Sequence, residues 1–286
     1  MPWSCLLEFT PARPVRLDVA PGEHFHAIFL ELISRVDPKL AGDLHGPAVS
    51  KPFTVSSILG YEGGRDITLS PGVDYRVRFT VFAPQVEESL VTSFLDADLR
   101  TLRLGRAEVH LLRVLTDSSH GLLCDYTSYE QLVEEGRRGR ETEFSLEFIS
   151  PTTLRRKSRN LPLPDPQILF TGYLKRWNDY SGQPFPEGLL DYVEAGLVIS
   201  RHHLETRVFY LPKAMQIGFV GRVHFRILGL EGPEAAALRT LARFAYYCGS
   251  GYKSTMGMGQ TIFHARTPGR QAASVEGEPA QIIHRE

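Results

Sequence analysis

Cysteine is scarce in this chain: Cys5, Cys124 and Cys248 are odd in number and far apart. That excludes a dense disulfide scaffold and points to a reducing, cytoplasmic setting. There is no C-x-x-C pair, and His202-His203 is not by itself a metal-ligand spacing. Neither a structural metal nor a cofactor is expected. No unbroken apolar run is long enough to cross a bilayer, so no membrane partner is expected. The opening residues, Met1-Pro2-Trp3-Ser4-Cys5-Leu6-Leu7-Glu8, lack the basic segment and cleavage site of a secretory leader. Charge of one sign is also missing: the formal net charge is −1. This excludes a uniformly basic nucleic-acid binder but not basic patches. Arg137-Arg138-Gly139-Arg140 is one cluster, and Arg100, Arg103 and Arg106 form a looser one. Arg155-Arg156-Lys157-Ser158-Arg159 is more pointed, because it holds no acidic residue and falls in a loop between a strand and a Pro-rich turn.

With 286 residues and 42% hydrophobic content, the chain can build two cores. Residues 3–9 read as a strand. Phe25, Phe29, Leu32 and Val36 have helical spacing within 23–36, and Asp37-Pro38 closes that helix. Strands follow at 53–58 and 75–82, then a helix over 86–99 and a strand over 107–115. The order is β-α-β-β-α-β, that of a ferredoxin-like unit. A second such order runs through a strand at 143–149, a helix at 166–180 with a further piece at 187–194, and a strand region covering 195–200 and 207–210. It ends with a strand at 219–228, a helix at 233–247 and a strand at 261–264. The expected fold is α+β, with tandem ferredoxin-like (RRM-like) domains, each with an antiparallel sheet. The domains are placed at 1–124 and 142–266. Residues 125–141 form a polar connector with a short helix at 129–135, and 267–286 a disordered tail.

The densest motif is Cys248-Gly249-Ser250-Gly251-Tyr252-Lys253-Ser254-Thr255-Met256-Gly257-Met258-Gly259-Gln260. Its glycines allow positive φ and close approach, and successive exposed N–H groups can form an anion-binding concavity. Either a phosphate backbone or another chain segment is expected against it. It is not a nucleotide-triphosphate loop. Tyr252 replaces the glycine before Lys253, and the order is helix–loop–strand instead of strand–loop–helix.

Five segments in order resemble the CRISPR-associated endoribonucleases that cut precursor CRISPR RNA, the "Cas six" family of the RAMP superfamily. They are Leu44-His45-Gly46 with Lys51-Pro52-Phe53-Thr54-Val55-Ser56; Ser150-Pro151-Thr152 with Leu161-Pro162-Leu163-Pro164-Asp165-Pro166; Trp177-Asn178; Ile217-Gly218-Phe219-Val220-Gly221-Arg222-Val223; and the glycine loop itself. The resemblance covers roughly residues 1–266.

The resemblance implies metal-independent cleavage within a CRISPR repeat RNA. The 2′-hydroxyl attacks the adjacent phosphorus and leaves 2′,3′-cyclic phosphate and 5′-hydroxyl ends. Such chemistry uses a base, an acid and a cation near the phosphoryl oxygens. Histidine suits the first two roles. His45 matches the family's usual catalytic histidine and is expected in a Gly-flanked loop; Lys51 matches a lysine that helps stabilise the transition state in some members. Some members add a tyrosine from the first helix. This chain has His24 and His26 there instead, and either could be the second acid or base. Arg155, Arg156, Lys157 and Arg159 are candidates for an A-form stem, which is read through shape and phosphates. Gly249, Gly251, Tyr252, Lys253, Ser254, Thr255, Gly257 and Gly259 are candidates for backbone near the cut, with Tyr252 able to stack on a base or to pack within the protein. A CRISPR effector complex is a candidate recipient, and the state is monomer or homodimer. Two alternatives stay open: a RAMP subunit that binds CRISPR RNA without cutting it, and a ferredoxin-like metabolic enzyme or regulator unrelated to RNA.

Overall fold

A computed structural model describes residues 1–17, 21–46, 50–60, 67–211, 214–229 and 231–265. The tail from Thr267 lies outside the described residues. The first half contains β1 (Trp3–Pro11), β2 (Val15–Leu17), α1 (Pro21–Val36), α2 (Pro38–His45), β3 (Phe53–Ile58), β4 (Ile67–Leu69) and β5 (Tyr75–Val81). It continues with α3 (Pro84–Phe94), β6 (Thr101–Leu104) and β7 (Ala107–Leu115). The main sheet is antiparallel in the order β3-β5-β1-β7-β6. The central strand alternates by the two-residue period of a pleat. Trp3, Cys5, Leu7 and Phe9 join Phe25, Phe29 and Leu32 of α1 and Val86 and Leu90 of α3 in one core. Ser4, Leu6 and Glu8 take the opposite face.

The second half contains β8 (Asp125–Tyr126), α4 (Tyr129–Arg138), β9 (Glu143–Thr152), β10 (Leu154–Arg156), β11 (Arg159–Leu161) and α5 (Pro166–Tyr180). After these come α6 (Leu189–Gly196), β12 (Leu197–Leu211), β13 (Ala214–Ile227), α7 (Pro233–Cys248) and β14 (Thr261–Ala265). Its sheet is antiparallel in the order β12-β13-β9-β14. Phe144, Leu146 and Phe148 of β9 pack with Phe170, Trp177 and Phe244 from the helices. The protein is α+β, and both strand orders are consistent with tandem ferredoxin-like topology. Between the sheets, β8 pairs with β1 and α4 lies close on α7: a Cβ added at Gly136 would sit 2.1 Å from Thr240 Oγ1.

Several local expectations need correction. The helix expected over 86–99 stops at Phe94, because Asp96 turns the chain by accepting the Asp98 N–H at 3.0 Å. This frees 101–104 to pair as β6. Asp37-Pro38 closes α1 and also opens α2: Asp37 caps the new helix by accepting the Leu40 N–H at 2.9 Å, and Pro38 fits its first turn. His45 therefore ends a helix instead of lying in a loop. The arginine-rich loop is a two-stranded hairpin, β10-β11, with Lys157 at φ 56° in its turn.

The two halves meet where α7 ends on the polar face of the first sheet. Arg78 of β5 is fully buried, at 0% exposure. Its Nε donates to Ser4 Oγ at 2.8 Å, Nη1 to Gln260 Oε1 at 3.2 Å and Nη2 to the Tyr246 carbonyl at 2.9 Å. The guanidinium also lies 4.1 Å from the Tyr246 ring centroid. Beside it, Gln260 Nε2 donates to Thr54 Oγ1 at 3.1 Å, Thr54 and Thr80 hydroxyls meet at 2.7 Å, and Thr80 donates to the Tyr247 carbonyl at 2.6 Å. Both routes end on carbonyls of the α7 C-terminus, the negative end of its dipole. Replacing Arg78 leaves several buried acceptors unmatched, each costing about 1–3 kcal/mol. Arg78→Met is expected to lower unfolding stability by roughly 3 kcal/mol in urea titrations; an unchanged midpoint and slope would show that this junction does not hold the halves together.

Candidate active site

The glycine loop after α7 is seated on both halves. Within the loop, Ser250 N donates to Gly259 O at 2.8 Å; on the second half, Tyr252 N donates to Thr153 O at 2.9 Å and Gly259 N to Pro151 O at 3.1 Å. On the first, Gly257 N donates to Val55 O at 2.9 Å, and Ser254 O accepts the Val55 N–H at 3.0 Å. These groups do not form an open anion concavity, since their donors are taken by protein carbonyls. Another chain segment lies against the loop. Gly249 and Gly251 sit against Thr54 and Thr153, Gly259 against Ser250, and Ser254 is buried. Two glycines show why the approach needs them. A Cβ on Gly22, in the first turn of α1, would lie 2.3 Å from Met256 O. Gly257 has φ 101°, and a Cβ there would lie 2.8 Å from Phe209 Cζ.

This seating brings separate candidates together. His26 projects from α1, and its Nδ1 lies 3.0 Å from the Thr255 carbonyl. A carbonyl only accepts, so Nδ1 carries the proton and the neutral ring keeps a lone pair on Nε2. The ring stacks on Phe53, with centroids 5.7 Å apart. Burial, reinforced by His45, Lys51 and Lys253 and opposed by the Thr255 hydrogen bond, pushes the His26 pKa down to about 4. His45 is exposed at the C-terminal end of α2. Lys51, just before β3, donates to the Leu44 and Gly46 carbonyls that bracket His45. Burial moves the Lys51 pKa below its ordinary value. Lys253 adopts φ 60°, uncommon for a side chain of this size, and its Nζ lies 3.4 Å from Met256 Sδ.

Other candidates lie elsewhere. His24 faces the β6–β7 turn, where a Cβ on Gly105 would lie 3.3 Å from its Cε1. Its Nε2 is buried without a hydrogen-bond partner among the described residues. On the β10-β11 hairpin, Arg155 lies 4.6 Å from the Tyr252 ring centroid and Arg156 pairs with Asp165 at 2.6 Å, while Lys157 and Arg159 are exposed. Tyr252 is thus already packed by an arginine of the hairpin. Sequence reasoning missed two residues of α5. Arg176 donates to Gly249 O at 3.1 Å and Ser254 Oγ at 3.3 Å, and Tyr180 donates to the Ser50 carbonyl. Their i, i+4 spacing at the end of an amphipathic helix was the available signal.

The model for the CRISPR Cas6 N-terminal domain matches residues 1–134, and that for CRISPR-associated endoribonuclease Cas6 matches residues 146–261. The chain belongs to the Cas6 family of CRISPR-associated endoribonucleases. A solved Thermus thermophilus Cas6 in a product complex is 28% identical, with a TM-score of 0.79, covering 92% of this chain and all of that one. Cas6 of Streptococcus thermophilus is 27% identical over 42% of this chain, and Cas6 of Mycobacterium tuberculosis 25% identical over 41%. These matches span 49% and 37% of the respective relatives, so the chain matches half or less of their length.

His26 sets a pH dependence of stability. The unfolded chain protonates this histidine near pH 6.5, before the folded protein does near 4. Its stabilising contribution is fully present above about pH 6.5 and is lost as pH falls through about 4. Urea unfolding between pH 7 and 4 should therefore show a steeper loss of stability for the wild type than for His26→Gln. Parallel curves would show that burial does not hold His26 neutral in the folded protein.

Proposed function

We propose that the protein cleaves precursor CRISPR RNA within its repeats, without a metal, by attack of the 2′-hydroxyl on the adjacent phosphorus. The observation that carries this reading is the seating of the glycine loop on α1 and β3, which puts its Thr255 carbonyl on His26, a ring that also feels His45, Lys51 and Lys253. The O2′–P bond forms as the hydroxyl proton leaves to a base, and the P–O5′ bond breaks as the departing oxygen takes up a proton. The ends are a 2′,3′-cyclic phosphate and a 5′-hydroxyl. His45 is the principal proton-transfer group. His26 is neutral at pH 7, and its free Nε2 can accept a proton. Burial, and after it the neighbouring charges, depress its basicity, and an approaching phosphate offsets those charges. Lys51 uses two N–H groups on the Leu44 and Gly46 carbonyls, and a third ammonium N–H remains by valence to meet a phosphoryl oxygen.

The repeat stem lies along the β10-β11 hairpin, where Arg155, Arg156, Lys157 and Arg159 meet its phosphates. Product passes to a CRISPR effector complex in the cytoplasm, a compartment suited to three buried free cysteines.

His45→Ala is expected to slow single-turnover cleavage by about 10²–10⁴-fold while RNA affinity stays nearly unchanged. Lys51→Ala should slow the same step less. Activity should persist in EDTA and vanish with a 2′-deoxy nucleotide at the cut. Full activity of His45→Ala rejects its role, and cleavage of the deoxy substrate rejects the mechanism.

Replacing Arg155, Arg156 and Arg159 together by alanine should weaken binding of a repeat hairpin and flatten its salt dependence, by roughly one unit of slope for each phosphate no longer neutralised. An unchanged slope would place these arginines among ordinary solvated charges.

A further inference from the structure

The catalytic segment of the first half is anchored by a helix of the second. Tyr180, in the last turn of α5, donates its hydroxyl to the carbonyl of Ser50. Two residues on, the Pro52 carbonyl accepts the Phe82 N–H at 2.9 Å. The backbone on both sides of Lys51 is therefore held. From that fixed base the Lys51 ammonium reaches the Leu44 and Gly46 carbonyls, one on each side of His45. The Tyr180 ring packs edge-on against Phe82 at 5.4 Å, so its hydroxyl is delivered by a packed ring. One turn earlier on α5, Arg176 holds Gly249 and Ser254 of the glycine loop. The same helix thus fixes the loop that carries Lys253 and the segment that carries Lys51.

We propose that Tyr180 is a positioning residue for the cleavage reaction, acting through Ser50 and Lys51 to fix His45. This rests on the functional reading given above. The effect of Tyr180 is carried by its hydrogen bond to the Ser50 carbonyl and by the two hydrogen bonds from Lys51 to backbone carbonyls. A group that acts through another adds nothing once that other is removed, which gives the proposal a specific signature. Displacement of a catalytic group by a fraction of an ångström lowers the rate without changing substrate affinity.

The test is Tyr180→Phe, which keeps the ring against Phe82 and removes only the hydroxyl. Single-turnover cleavage of a repeat hairpin should slow by about tenfold, with RNA affinity and thermal midpoint close to wild type. In the Lys51→Ala background the same substitution should cause no further loss. Imidazole cross-peaks of RNA-free, histidine-labelled protein provide a second readout that needs no cleavage. The His45 peak, assigned by its loss in His45→Ala, should move in Tyr180→Phe in the direction seen in Lys51→Ala. A wild-type rate in Tyr180→Phe, a full additional loss in the double variant, or an unmoved His45 peak would each overturn the proposal. If wild-type protein leaves the repeat uncut, the proposed function fails, while the cross-peak comparison still decides whether Tyr180 positions His45.

Discussion

The meeting of the α7 C-terminus with Arg78 is the constraint on which the rest depends. A guanidinium removed from water must have its donors matched, because the charge would otherwise be prohibitive. Here the acceptors are neutral oxygens from both halves: Ser4 on β1, Gln260 before β14 and Tyr246 at the end of α7. The planar fork of arginine reaches all three at once, which a lysine could not do. Satisfying this one group fixes where α7 ends relative to the first sheet. The Gln260–Thr54–Thr80–Tyr247 route repeats the constraint with uncharged groups.

The glycine loop begins where α7 stops, so its position follows from that junction. Held at both ends, it can only run between β3 and the first turn of α1. Gly22 and Gly257 remove the side chains that would block this path. The loop then presents the Thr255 carbonyl to His26, a ring that also feels the charges of His45, Lys51 and Lys253. The candidate site is therefore a product of the junction between the halves. The loop's glycines permit its close packing against the protein, and burial keeps the His26 ring neutral.

Much of this was legible in the sequence because it rested on local rules. The pleat period of 75–82, the helical spacing of Phe25, Phe29 and Leu32 and the glycine punctuation after residue 248 report the elements directly. His45, Lys51 and the loop were legible as motifs through a family resemblance, and the structure brings them together with His26. What was hidden depended on partners distant in sequence. Arg78 reads as one polar residue of an alternating strand until α7 is placed on it. Tyr180 reads as the end of a helix until Ser50 lies beneath it. Asp37 carries two local meanings, a helix stop and a helix cap, and periodicity alone selects the first. His24 and His26 are indistinguishable by type, and only the docking of the loop separates a histidine at the site from one beneath the Gly105 turn.

Because the loop is bonded to the first sheet and follows from the α7 junction, loop, first sheet and α7 are expected to open as one cooperative unit. Amide hydrogen exchange at Gly257 and Val55, which bond across the junction, tests this most directly. The account predicts that both amides exchange only through global opening, with equal protection that falls together when urea lowers overall stability. Fast exchange at Gly257 and Val55 while the α7 amides remain protected would contradict it, since the loop would then leave the first sheet without breaking the junction.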